Sequence, residues 1–140
     1  MNKTNLILTG MIFLVMTLGC STMMKGTKLA DPAVAKFHQQ FNDKQFAQIY
    51  AESSRQFKDA VTEKEWVDLL EKVYGKLGAF KKTESTNFSV NTTNEGDVLK
   101  VNYNTEFAGA KGTEEFTFLV DGDKVSLFHY GVESDALKAK

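Results

Sequence analysis

At Gly78 the spacing of apolar residues changes, and that change constrains the fold more than any other feature of the chain. Before it, apolar side chains recur every three or four residues, the repeat of helices buried along one side. After it they recur every second residue, the repeat of strands with one dry face. A chain written this way is predicted to place helices first and an antiparallel sheet second, as an α+β domain.

The helical half carries local punctuation. Asp31-Pro32 predicts a helix start, with Asp as cap and Pro in the first turn, followed by Val34, Phe37 and Phe41 at helical spacing. Asn42-Asp43 breaks the run, and Phe46, Ile49, Tyr50, Ser53 and Phe57 mark the buried side of a second helix. Thr62-x-x-Glu65 has the form of a capping box, in which hydroxyl and carboxylate each satisfy a backbone amide at the helix start. Trp66, Leu69, Leu70, Val73 and Leu77 then form an apolar stripe, and Gly78 suits a helix end.

The strand half begins with a segment from about Ala79 to Thr92, with Phe88 and Val90 on one face. Asn94-Glu95-Gly96-Asp97 is turn chemistry. Leu99, Val101, Tyr103, Thr105 and Phe107 alternate with Lys100, Asn102, Asn104 and Glu106, giving one dry and one wet face. A second turn at Gly109–Gly112 leads to Phe116, Phe118 and Val120. Asp121-Gly122-Asp123 signals a hairpin, and Val125 to Val132 closes the sheet. The predicted architecture is N-terminal helices packed on a four-stranded antiparallel meander, one domain over residues 31–137.

The start of the chain predicts location. One cation, Lys3, precedes an apolar run from Leu6 to Leu18, and Gly19-Cys20 follows, the anatomy of an export signal over residues 1–19. The apolar run covers roughly 20 Å as a helix, short of a ~30 Å hydrocarbon core. Thr17-Leu18-Gly19-Cys20 resembles the lipobox of bacterial lipoproteins. That resemblance implies a diacylglycerol thioether on Cys20, the chain's one cysteine, cleavage before it, and acylation of the new amine by a palmitate-like chain. The alternative is an ordinary export signal followed by an unmodified thiol. Ser21 stands where an Asp would imply inner-membrane retention, so the resemblance implies the outer membrane, facing the periplasm. Residues 20–30 read as a lipidated tether, reaching at most ~35 Å if extended.

The Tyr50…Phe57 and Trp66…Leu77-Gly78 stretches, followed by the meander, resemble small exported proteins of the nuclear transport factor 2-like, or cystatin-like, superfamily. The tail Phe128-His129-Tyr130-Gly131-Val132-Glu133-Ser134 is similar to the last strand of bacterial lipoproteins of unknown function with that fold. Over residues 31–137 the resemblance implies a cone-shaped domain with an apolar pocket between sheet and helices, a few members being isomerases or dehydratases. Tyr50, Trp66, Tyr103 and Phe116 are the candidates to line such a pocket, or else simply to fill the core.

Residue types that carry chemistry are sparse. His38, beside Phe37, reads as a helix-surface or boundary residue, and His129 faces opposite to Phe128 and Tyr130. Two histidines without His-x-x-x-His spacing predict no zinc site. Glu114 and Glu115 are adjacent in a strand, so they point to opposite faces and cannot share a proton. The dry-face positions offer no evident carboxylate, Ser53, Ser54 and Ser85 have no local activating partner, and Asp121-Gly122-Asp123 lacks the distal ligands of a calcium loop. No catalytic residue and no cofactor are predicted. The 17 basic and 18 acidic side chains are interspersed, with no basic block, so nucleic acid is not an expected partner. The expected role is a lipid-anchored, non-catalytic binding module of the cell envelope. It would meet the membrane through its anchor and an envelope protein or other envelope component through its surface. A carrier or sensor of a small apolar ligand is the alternative, and an isomerase- or dehydratase-like enzyme a third.

Overall fold

A computed structural model of the protein describes residues 20–140, with the side chains of 20–25 and 27 left aside; the expected signal at 1–19 and the Cys20 thiol lie outside what it describes. The chain runs α1 (Cys20–Asn42), α2 (Phe46–Glu52), α3 (Arg55–Ala60), α4 (Glu63–Leu77), β1 (Phe80–Thr93), β2 (Gly96–Phe107), β3 (Lys111–Asp121), β4 (Lys124–Glu133) and α5 (Asp135–Lys138). The strands pair antiparallel in chain order, β1-β2-β3-β4, and the helices pack on the sheet. This is the α+β meander that the change of period at Gly78 predicts.

Local signals account for several boundaries. Thr62 Oγ1 accepts from the Glu65 amide at 3.3 Å while Glu65 Oε2 accepts from the Thr62 amide at 2.9 Å, completing the capping box of α4. Gly78 ends that helix at φ +82°, where a side chain would be strained. Asn42 ends α1 by clamping the first strand: its Oδ1 accepts from the Phe80 amide at 2.7 Å and its Nδ2 donates to the Phe80 carbonyl at 3.0 Å.

The tether and helix-start readings are corrected. Residues 20–30 are helical, and α1 passes through Asp31-Pro32 without a break. The reason lies in which side of α1 meets the core. Gly26, Ala30, Val34 and His38 recur every four residues and are buried, whereas Lys28 and Pro32 are exposed. The amide that Pro32 lacks would have bonded the Lys28 carbonyl, on a side open to water, so the interruption is tolerated. Gly26 lies against β1, where a Cβ would overlap the Phe88 ring. Packing against the sheet therefore reaches back at least to Gly26, five residues before the predicted domain edge.

Three further expectations change. The single helix predicted from Phe46 to Phe57 is two, because Ser53 and Ser54 are extended. Ser54 Oγ caps α3 by accepting from the Phe57 amide at 3.1 Å, and the Ser54 amide donates to the Leu127 carbonyl of β4 at 2.8 Å. Leu69, placed on the apolar stripe by its spacing, is 43 % exposed; Trp66, Leu70, Val73 and Leu77 fill the stripe without it. On β4 a bulge opposite Thr117 and Phe118 brings both Leu127 and Tyr130 inward, so strict alternation fails at Phe128.

Candidate functional site

The residue four after Val34 and the residue two before Phe116 meet in the core. His38 shares the buried side of α1 with Val34 and Phe41, and Glu114 shares the inner face of β3 with Phe116. His38 is 2 % exposed and Glu114 0 %, so the surface reading of His38 and the expected lack of a dry-face carboxylate are both corrected. The two side chains bond directly, His38 Nε2 to Glu114 Oε2 at 2.8 Å. Glu115 does point to the opposite face, as strand alternation requires, where Lys100 pairs with it at 2.7 Å.

A carboxyl group buried this deeply needs hydrogen-bond partners, and Glu114 has them. The Tyr130 hydroxyl donates to Oε1 at 2.7 Å, and the Thr105 hydroxyl donates to Oε2 at 2.7 Å. Thr83 extends the chain of hydroxyls, 2.8 Å from Thr105. Three donors from α1, β2 and β4 thus converge on one carboxylate carried by β3. The His38 ring is stacked on Phe80, with centroids 3.7 Å apart and planes 5° from parallel. Its Nδ1 is buried without a partner.

Position, not residue type, would have revealed this cluster. His38 completes an i, i+3, i+4, i+7 set with Val34, Phe37 and Phe41, and Glu114 has the parity of Phe116 and Phe118. Of the pocket candidates, Trp66 and Phe116 are interior packing. Trp66 meets Phe57 at 5.0 Å and Tyr130 at 5.8 Å, while Phe116 meets Phe37 at 5.0 Å and Tyr130 at 5.1 Å. Tyr50 donates to the Val61 carbonyl at 3.0 Å, tying α2 to the end of α3. Tyr103 alone of the four borders a described cavity, one of about 710 Å³ between α1 and β1, with His38 and Phe80 also in its wall. His129 is exposed on the outer face of the sheet.

The buried hydroxyls hold their protons tightly. Burial, then the Glu114 carboxylate, pushes Tyr130 well above the ordinary tyrosine value, and burial with Asp31 does the same to Tyr103, whose hydroxyl donates to Asp31 Oδ1 at 3.2 Å. A folded-state value above the unfolded one gives stability that is complete below about pH 10 and is lost as pH rises beyond it. In a Y50F/Y74F background, phenolate absorbance is therefore expected to rise only together with loss of tertiary circular dichroism. Reversible ionisation near pH 10 with the fold intact would contradict this burial.

The family described as "Protein of unknown function (DUF4019)" matches residues 33–129, which takes in α1 from Ala33, the later helices to α4 and the sheet as far as His129. His38, Thr105 and Glu114 fall inside the match, and Tyr130 is the first residue beyond it. No curated protein matches the chain.

Proposed function

We propose that this chain, which belongs to the DUF4019 family, is a lipid-anchored protein of the cell envelope whose domain is a non-catalytic binding module. The observation that carries the reading is the setting of Cys20. It directly follows the apolar run, it is the chain's one cysteine, and α1 leads from it without a break into the core. A thioether at Cys20 would be joined to the domain by helix, about 1.5 Å per residue, leaving Gly26 roughly 9 Å from the attachment point. The domain would then sit on the membrane surface, the outer membrane in a host that has one, instead of standing off it. Two or three acyl chains anchor stably, at ~0.8 kcal/mol per buried methylene. No helix among the described residues is long and apolar enough to cross a membrane.

Two observations support binding over catalysis. Glu114, the acid in the core, has both oxygens taken by donors of its own chain. Aromatic rings fill the space between helices and sheet, which favours recognition at a surface cavity over carriage of an apolar ligand inside.

Intact-mass measurement of native protein is expected to show a chain beginning at Cys20 and carrying two or three acyl groups. Cys20→Ala should lose all acyl mass and yield an uncut precursor or a soluble product. An unmodified thiol in the native protein, or a variant acylated like the parent, would refute the anchor.

A further inference from the structure

The course of α1 decides which end of the domain an anchor at Cys20 would hold. Near its start, Gly26 packs against the Phe88 ring of β1, and its last residue, Asn42, bonds both backbone groups of Phe80. α1 therefore runs opposite to β1, from the late half of that strand back to its first residue. In this meander the late end of β1 carries two hairpin tips, residues 93–96 and 121–124. The register Asp97↔Val120 sets the tips side by side, and all their residues are exposed. The turn between β2 and β3 lies at the other end. There the Gly109 amide donates to the Leu77 carbonyl and the Ala108 amide to the Ala79 carbonyl, both at 2.8 Å.

Lengths along the two elements order their approach to a lipid layer. From Gly26 back to Cys20 the helix advances about 9 Å. From Phe88 to Asn94 the strand and its turn advance up to about 20 Å. Any inclination of α1 to the strands shortens its advance along them, so the tips project as far as the attachment point or further. A headgroup region is roughly 5–8 Å deep on each side of the hydrocarbon. Acyl chains on Cys20 enter the hydrocarbon only when the residue bearing them lies in or beside that region. The tips then lie in it too.

We propose that the acylated protein seats both hairpin tips, residues 93–96 and 121–124, on a phospholipid headgroup layer. Ten residues of β2 separate Asp97 from Phe107, about 33 Å in a strand, so the β2–β3 turn points into water. The cavity of about 760 Å³ bordered by Lys111, Gly112, Glu133 and Ser134 is then at the aqueous end, open to a soluble partner. The seating deepens the anchored-module reading and rests on it.

Fluorescence quenching in phosphatidylcholine nanodiscs tests the seating. With the Cys20 thiol held as a thioether, an introduced cysteine is the one free thiol for a bimane label. Labels go to the tips in N94C and D123C, and to the other end in D43C and K111C; all four positions are exposed, so the fold should persist. Nitroxide carried on the lipid headgroup is expected to quench the two tip labels about threefold more strongly, because the far end stands beyond the headgroup region. Intact mass of the same samples reports acylation. Acylated samples quenched equally at both ends, or more strongly in D43C and K111C, would overturn the seating and leave the anchor. Samples without acyl mass would overturn both.

Discussion

Glu114→Ala is expected to lower the unfolding free energy by about 3–5 kcal/mol, the order expected when buried donors lose one shared acceptor. The effect is large because the carboxylate is a shared acceptor. Without it the Tyr130 hydroxyl and His38 Nε2 lose their partner together and the Thr105 hydroxyl is left with Thr83 alone, in a site that water does not reach. Each unsatisfied buried donor costs about 1–3 kcal/mol, reduced where the site relaxes or admits water. Glu114→Gln keeps the volume and one carbonyl acceptor but turns an amide toward existing donors, so an intermediate loss of about 1–3 kcal/mol is expected. Urea denaturation measures both. Because Tyr130→Phe removes one of the same donors, the double variant E114A/Y130F should lose less than the sum of the single changes. A loss under about 1 kcal/mol for E114A would mean that the cluster is not a structural hub.

Trp66→Ala should cost a comparable amount, about 3–5 kcal/mol, by a different mechanism. Trp66 is 2 % exposed and its ring lies against Phe37, Phe57 and Tyr130, so truncation opens a cavity at the junction of α4 with α1, α3 and β4. The indole Nε1 has no hydrogen-bond partner, so the ring contributes through packing alone. Trp66→Phe is therefore expected to retain most of the stability, losing only about 1–1.5 kcal/mol. Thermal or urea unfolding followed by circular dichroism tests the pair of variants, since the chain's one tryptophan is itself removed. Equal losses for Phe and Ala would point to a polar role for the indole that the geometry does not contain.

These two sites mark different degrees of legibility. Trp66 follows from spacing: it begins a stripe continued by Leu70, Val73 and Leu77, behind a capping box that sets the helix phase. The partners of Glu114 are a harder case. Its parity with Phe116 shows that it faces inward, and the spacing of His38 from Val34 shows the same, but each residue type argues against its own position. A buried carboxylate is tolerable only with donors around it, and whether donors stand there depends on segments 9, 16 and 76 residues away. Tyr130 reaches Glu114 because the β4 bulge shifts the alternation after Leu127, an irregularity that a two-residue repeat does not encode. Pro32 misleads for a related reason. A proline just after an aspartate is normally a helix start, but here burial of Gly26 and Ala30 extends α1 past it.

The amino-acid order alone determined that helices precede a four-stranded meander, the cap of α4, the glycine at its end and the hairpin turns. Each of those depends on residues within a few positions of one another, where local backbone geometry and the repeats of 3.6 and 2 are decisive. Only the tertiary structure decided which dry-face residues are polar, which aromatics are filler and where a cavity remains. Those outcomes depend on how α1 crosses the sheet and on strand register, and so on the free energy of burying charge with its partners or without them.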